Sequence, residues 1–306
     1  MTTMKNTTLL RTAAVLAVTA GSLLCSTTLT SCSSDNDEPE NSLPATEGRR
    51  VRQLTISEVP LTRATLTDQG TTLGAKWKAG DQATVMDLTP PIEELYGTFT
   101  ATTAAETSSF TGSISWEVLV GDRLALIYPA VSLATGNAAF TVSLKEQKGT
   151  LSDVADRYHY IYGVAQVTSV TETTATADIS MMKPLLAVAK FTFKDKATNE
   201  AIPVKTLTIS YGDDLDVGYP QTATVEPKEN LDELELKVKR QDEESWQPLS
   251  FSFATETSDG VYVALFPCDK QLIFFSVTNA SGTYTGTATA TLQAGKYYPV
   301  ALKMNN

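Results

Sequence analysis

The stretch Leu249-Ser250-Phe251-Ser252-Phe253-Ala254-Thr255-Glu256-Thr257-Ser258-Asp259-Gly260-Val261-Tyr262-Val263-Ala264-Leu265-Phe266 carries the reading of the fold. Leu249, Phe251 and Phe253 alternate with serines, the two-residue period of a strand with one face in a core and one in water. Ser258-Asp259-Gly260 then supplies turn chemistry: short polar side chains followed by a glycine. Val261 to Phe266 is apolar on both faces, which suits a central strand of a sandwich.

The same pattern recurs in both directions along the chain. Leu54 and Ile56 alternate with Gln53 and Thr55, Leu207, Ile209 and Tyr211 with threonine and serine, and Leu234, Leu236 and Val238 with charged residues. Gln271 to Val277 is a second candidate for a central strand. Turn signals separate these runs at Ala79-Gly80-Asp81, Gly121-Asp122, Tyr211 to Asp214, Ala280 to Gly282 and Ala294-Gly295. Abundant threonine favours strands over helices, and the helix candidate is short, Leu151 to Arg157. Many short strands at intervals of about 8 to 12 residues predict an all-β chain of sandwiches. A boundary is expected at Pro184, after the polar, turn-like Thr171 to Ala177 and before the strong strand Leu185 to Phe193. Residues 51–184 and 185–306 would then be two β-sandwich domains.

The N-terminus reads differently. Residues 1–31 contain no acid, Lys5 and Arg11 form a sparse basic head, and Thr12 to Leu24 is apolar but shorter than the roughly 20 residues that span a bilayer. This is the layout of a secretory signal. Its end, Leu29-Thr30-Ser31-Cys32, resembles a bacterial lipobox, which predicts lipidation at Cys32; Leu23-Leu24-Cys25 fits less well because Leu24 is bulky beside the cut. By that resemblance Cys32 carries three acyl chains. At about 0.8 kcal/mol per methylene these give on the order of 30 kcal/mol, an anchor in the outer membrane that releases very slowly. Residues 32–50 follow as a tether: Ser33-Ser34-Asp35-Asn36-Asp37-Glu38-Pro39-Glu40 has no apolar side chain with which to build a core.

The net charge of −11 argues against nucleic acid or anionic lipid as a partner, since both need basic surface. The chain has 3 cysteines, of which only Cys32 and Cys268 lie beyond the signal, so no disulfide framework is expected and stability must come from apolar burial.

Several local patterns, in order, resemble the fimbrillin-like outer-membrane lipoproteins. They are Thr62-Arg63-Ala64-Thr65-Leu66-Thr67 before Trp77-Lys78-Ala79-Gly80-Asp81, Ser109-Phe110-Thr111-Gly112, Leu126-Ile127-Tyr128-Pro129, Leu144 to Gln147 before Tyr158 to Tyr162, Met181 to Phe191, and Leu292 to Tyr297. The acidic run after Cys32 likewise resembles the surface-export signal of lipoproteins in the phylum that makes fimbrillins. The resemblance implies two transthyretin-like β-sandwich domains at the cell surface and a fimbrial or adhesive role. It implies partners that are other fimbrial subunits, joined when a donated strand fills a sheet edge. It also implies proteolytic maturation at Arg63, in the loop after the first strand, Val51 to Val59. Shaft-forming relatives carry extra donor strands at the C-terminus. Here the last strand candidate, Lys296 to Met304, is followed only by Asn305 and Asn306, which sets the expectation of an accessory, tip or anchor subunit.

Candidate chemistry is sparse, and neither an enzyme nor a cofactor is expected. With 1 histidine, His159, a zinc site or a serine triad has little to draw on. Tyr158, Tyr160 and Tyr162 would share one strand face, either as an aromatic platform for a sugar ring or as packed amphipathic side chains. Asp213, Asp214 and Asp216 crowd one turn and could offer oxygens to calcium, or simply serve turn geometry. Glu93-Glu94 and Glu243-Glu244 are paired acids, but a glycosidase needs a set separation that sequence does not show. Cys268, beside Lys270, reads as a half-buried inert thiol rather than a reactive one. A surface glycan-binding lipoprotein of a polysaccharide-uptake system is the alternative function; exposed, coplanar aromatics would favour it.

Overall fold

The structure is a computed structural model that describes residues 51–60, 65–89, 96–115, 117–133, 139–228, 233–238 and 246–306. Cys32, the tether and Arg63 lie outside the described residues, as do Arg49, Arg50, Glu93, Glu94, Glu243 and Glu244.

The strands before Pro184 are β1 (Val51–Pro60), β2 (Thr65–Asp68), β3 (Leu73–Lys76), β4 (Gln82–Asp87), β5 (Tyr96–Ala101), β6 (Thr107–Ser115), β7 (Arg123–Tyr128), β8 (Phe140–Ser143), β9 (Ile161–Val170) and β10 (Thr174–Pro184). Between β8 and β9 the expected short helix appears as α1 (Leu151–Asp153), continued by a π-helical turn Val154–Tyr158. After Pro184 come β11 (Ala187–Asp195), β12 (Val204–Tyr211), β13 (Tyr219–Pro220), β14 (Thr222–Pro227), β15 (Leu234–Val238), β16 (Trp246–Gln247), β17 (Leu249–Thr257), β18 (Val261–Leu265), β19 (Cys268–Asn279), β20 (Gly282–Leu292) and β21 (Tyr297–Met304). The chain is all-β, as its two-residue periodicity predicts.

Seven of the strands hydrogen-bond round in the order β1-β10-β9-β7-β4-β5-β6 and close back on β1. Alternation fills the interior with Leu54, Ile56, Phe99, Phe110, Leu124, Leu126, Ile161 and Ala165, all fully buried. Trp77 enters this core edge-on to Phe110 (4.8 Å between centroids) and Tyr128 (5.2 Å), and its indole N–H donates to Val59 O at 3.2 Å. The small inward residues are as necessary as the large ones. Gly112 on β6 stands opposite Leu54, and a Cβ there would lie 2.6 Å from the Phe99 ring and 2.7 Å from Thr98 O.

After Pro184 two sheets face each other, β18-β11-β21 and β17-β12-β19-β20. Phe191 of the first meets Phe275 of the second at 5.0 Å, nearly edge to face, the interdigitation expected between the sheets of a sandwich. The last strand, β21, lies parallel to β11, from Val188↔Tyr297 to Asp195↔Met304.

Two expectations need correction. Val261 to Leu265 is not a central strand: β18 is at the edge of its sheet. Its free edge is capped by residues from before Pro184. The buried Gln147 amide accepts from Ala264 N (2.8 Å) and donates to Ala264 O (3.0 Å), and Tyr262 N donates to Gly149 O (3.0 Å). Thr171 to Ala177 is not all turn, because β10 begins at Thr174 with Ala175 and Ala177 facing the core. The two segments also share a sheet, β15-β14-β8, in which Thr222 to Val225 pair with Ser143 to Phe140.

Candidate functional site

The described residues nearest to Arg63 in the chain are those of β1 and of the β2–β3 hairpin that follows it. β1 lies between two neighbours, antiparallel to β6 from Val51↔Ser115 to Pro60↔Thr107 and parallel to β10 from Gln53↔Thr174 to Ser57↔Asp178. Both of its backbone edges are therefore used. The strand carries one irregularity, at Glu58, whose φ of 47° accompanies a register shift between Ile56 and Val59. That extra residue turns Val59 inward, so Leu54, Ile56 and Val59 are all fully buried despite the odd spacing. Arg52 is half-buried and donates from Nη1 to Val118 O at 2.9 Å.

Beyond residue 64 the chain enters the β2–β3 hairpin, whose Leu66 and Leu73 belong to the other core, with Phe191, Val261 and Val263. A polar cluster fixes the hairpin tip. Asp68 Oδ2 accepts from Tyr262 Oη (2.6 Å) and from Lys190 Nζ (2.9 Å), and Asp68 Oδ1 accepts from Gly70 N (2.8 Å). The Lys190 ammonium also lies 5.2 Å from the Tyr262 ring centre. The Tyr262 hydroxyl and then the Lys190 ammonium hold the Asp68 carboxyl well below the usual carboxylate range, against a smaller opposing effect of burial. Asp68 in turn raises Lys190. Lys190 and Tyr262 stand 122 and 194 residues from Asp68, so no local signal could reveal the cluster.

The other candidates scatter. Tyr158, Tyr160 and Tyr162 do not share a strand face. Tyr158 ends the π-helical turn, Tyr160 lies between elements, and Tyr162 is on β9. Tyr158 and Tyr162 are each 2% exposed, and the Tyr158 hydroxyl donates to Lys145 O, so these two pack rather than present a flat face to a sugar. Tyr160 lines a hollow of about 740 Å³ with Phe140, Leu133 and Glu226. His159 is buried. Asp213, Asp214 and Asp216 are exposed, and Asp214 Oδ1 accepts from Asp216 N at 3.0 Å, which is turn geometry. Among the described residues no group of three or more His, Cys, Asp or Glu is placed to hold a metal ion. Cys268 is half-buried, its thiol is pushed up by burial, and its Sγ is 3.7 Å from Ala290 O. Among the described residues no helix is long and apolar enough to cross a membrane.

No family model matches the chain, and no curated protein matches it. Solved structures similar to it include two proteins each named a "putative cell adhesion protein". The one from Bacteroides eggerthii DSM 20697 is 13% identical over 84% of this chain and 87% of that chain, with a TM-score of 0.41. The one from Bacteroides fragilis NCTC 9343 is 11% identical over 82% and 92%, with a TM-score of 0.42. The shaft pilin SpaA of Lactobacillus rhamnosus GG is 8% identical over 83% and 97%, at 0.30. Likeness at this level assigns no role to this chain.

Proposed function

We propose that this chain is a fimbrillin-like surface lipoprotein, an accessory, tip or anchor subunit that can join other subunits by β-strand complementation. In this reading Cys32 holds the lipid, residues 32–50 are the tether, and 51–184 and 185–306 act as two domains. The observation that carries it is the placement of β1. It is paired on both sides, contributes three fully buried apolar side chains, and ends just before the segment that contains Arg63. Withdrawal of such a strand leaves unpaired N–H and C=O groups on β6 and β10 and an apolar trough between them. Another extended strand is the ligand that satisfies both. The glycan-binding alternative loses its platform with the burial of Tyr158 and Tyr162.

N-terminal sequencing of the surface-exposed form tests the proposal. A start at Ala64 supports an acceptor whose first strand has been removed. An intact, acylated Cys32 supports a permanent anchor. A start directly after Arg49, Arg50 or Arg52 refutes both, because β1, at least from Gln53 onward, would stay in place with no lipid attached.

A further inference from the structure

The segment that a cut after Arg63 would leave at the new N-terminus is itself a competent strand. Thr65-Leu66-Thr67 repeats the hydroxyl–apolar–hydroxyl pattern of Thr55-Ile56-Ser57 on β1. After the cut it stays joined, through β3, to Trp77, whose side chain lies in the core beside the place β1 would vacate. A short flexible link gives an intramolecular competitor an effective concentration of order mM, far above that of a partner subunit in solution. Left free, this segment would compete for the empty trough and block complementation.

The fold ties that segment elsewhere. β2 pairs with β3 from Thr65↔Lys76 to Asp68↔Leu73, and Leu66 and Leu73 are sunk in the core shared with β11 and β18. Asp68 is bonded to Lys190 on β11 and to Tyr262 on β18. None of these ties involves β1, so removing β1 leaves them whole. From this juxtaposition we propose that the β2–β3 hairpin is a clamp against self-complementation: Asp68, Lys190 and Tyr262 hold the new N-terminal segment on β11 and β18, so that the trough of β1 stays free for a strand from another polypeptide. The inference rests on the reading of β1 as a removable strand.

The test uses the full chain with a specific protease site inserted between Thr62 and Arg63, cut and freed of its N-terminal piece. Hydrogen exchange of residues 65–76 and uptake of a labelled peptide of sequence Val51–Pro60 are both followed. With the native clamp, the hairpin amides exchange at the same rate before and after the cut, and the peptide binds. In the cut Asp68→Ala protein, which loses the bonds to Tyr262, Lys190 and Gly70 N, the hairpin exchanges roughly tenfold faster or more and peptide uptake falls severalfold. Tyr262→Phe, which keeps the ring, shows the same changes more weakly and serves where Asp68→Ala does not fold. The clamp is overturned if the native hairpin loses protection on cutting. It is equally overturned if both variants keep native exchange and uptake. A native cut protein that keeps its hairpin protected yet takes up no peptide defeats the reading of β1, and the clamp that rests on it, for want of a trough rather than for want of a held hairpin.

Discussion

Leu54→Ala probes how firmly β1 is built into its sheet. Leu54 is fully buried, opposite Gly112 on β6 and Ala175 on β10, neither of which can grow to fill a hole. Deleting a buried leucine to alanine costs about 2–5 kcal/mol, the upper end applying where the surroundings cannot collapse. Here β1 is held by ladders on both edges, so the backbone cannot close the gap, and about 3–5 kcal/mol is expected. For a unit of this size each kcal/mol lowers Tm by about 2–4 °C, so the melt should fall by roughly 6–20 °C. Val51→Ala on the same strand is the control. Val51 is 62% exposed, and its loss should stay within about 0.5 kcal/mol. Thermal melts of both variants, followed by circular dichroism, decide the matter. If Leu54→Ala melts within a degree or two of Val51→Ala, β1 is not an integral part of the core and its withdrawal would open no trough worth filling.

Gly112→Ala places a methyl against the Phe99 ring and Thr98 O; a loss of about 1–3 kcal/mol in urea unfolding is expected, and no loss would contradict the packing. Asp68→Asn should cost about 1.5–3 kcal/mol at neutral pH, because Tyr262, Lys190 and Gly70 N lose a charged acceptor. The Asp68 pKa is lowered on folding, so its contribution is complete above the ordinary carboxylate value, and the wild-type advantage should shrink as pH falls below about 4. An advantage that is flat from pH 6 to pH 2 would show that the charge is not what Tyr262 and Lys190 recognise. Cys32→Ser should move the protein out of the membrane fraction; wild-type retention would refute the anchor. Melting should be insensitive to EDTA and to reductant, and a large drop with EDTA would return attention to Asp213, Asp214 and Asp216.

Period-two alternation is local, so β1, β12 and β17 are legible in Leu54 and Ile56, in Leu207 and Ile209, and in Leu249 and Phe251. β10 was obscured because its inward residues include Ala175 and Ala177, too small to stand out among threonines, yet their size is what fits against β1. Nothing in Val261 to Leu265 distinguishes a central strand from an edge covered by Gln147, more than a hundred residues away. The tyrosines misled for a backbone reason. A π-helical turn ends at Tyr158, so the two-residue count from Tyr158 to Tyr162 does not begin on a strand. At the site, the inward face of β1 was readable, including Leu54 and Ile56. The parallel pairing with β10 and the Asp68 cluster were not, since both join residues through space with no mark on either partner.

In the proposed reading, the place of β1 is taken by a strand from another polypeptide. Thr176 on β10 pairs with Thr55 and is exposed, so a photo-crosslinking residue there reports what lies alongside without disturbing the core. In filaments sheared from cells, mass spectrometry of the crosslink should identify a strand from another subunit joined to β10. If the crosslink in every fraction joins only residues 51–60 of the same chain, β1 never leaves and strand complementation at this site is wrong.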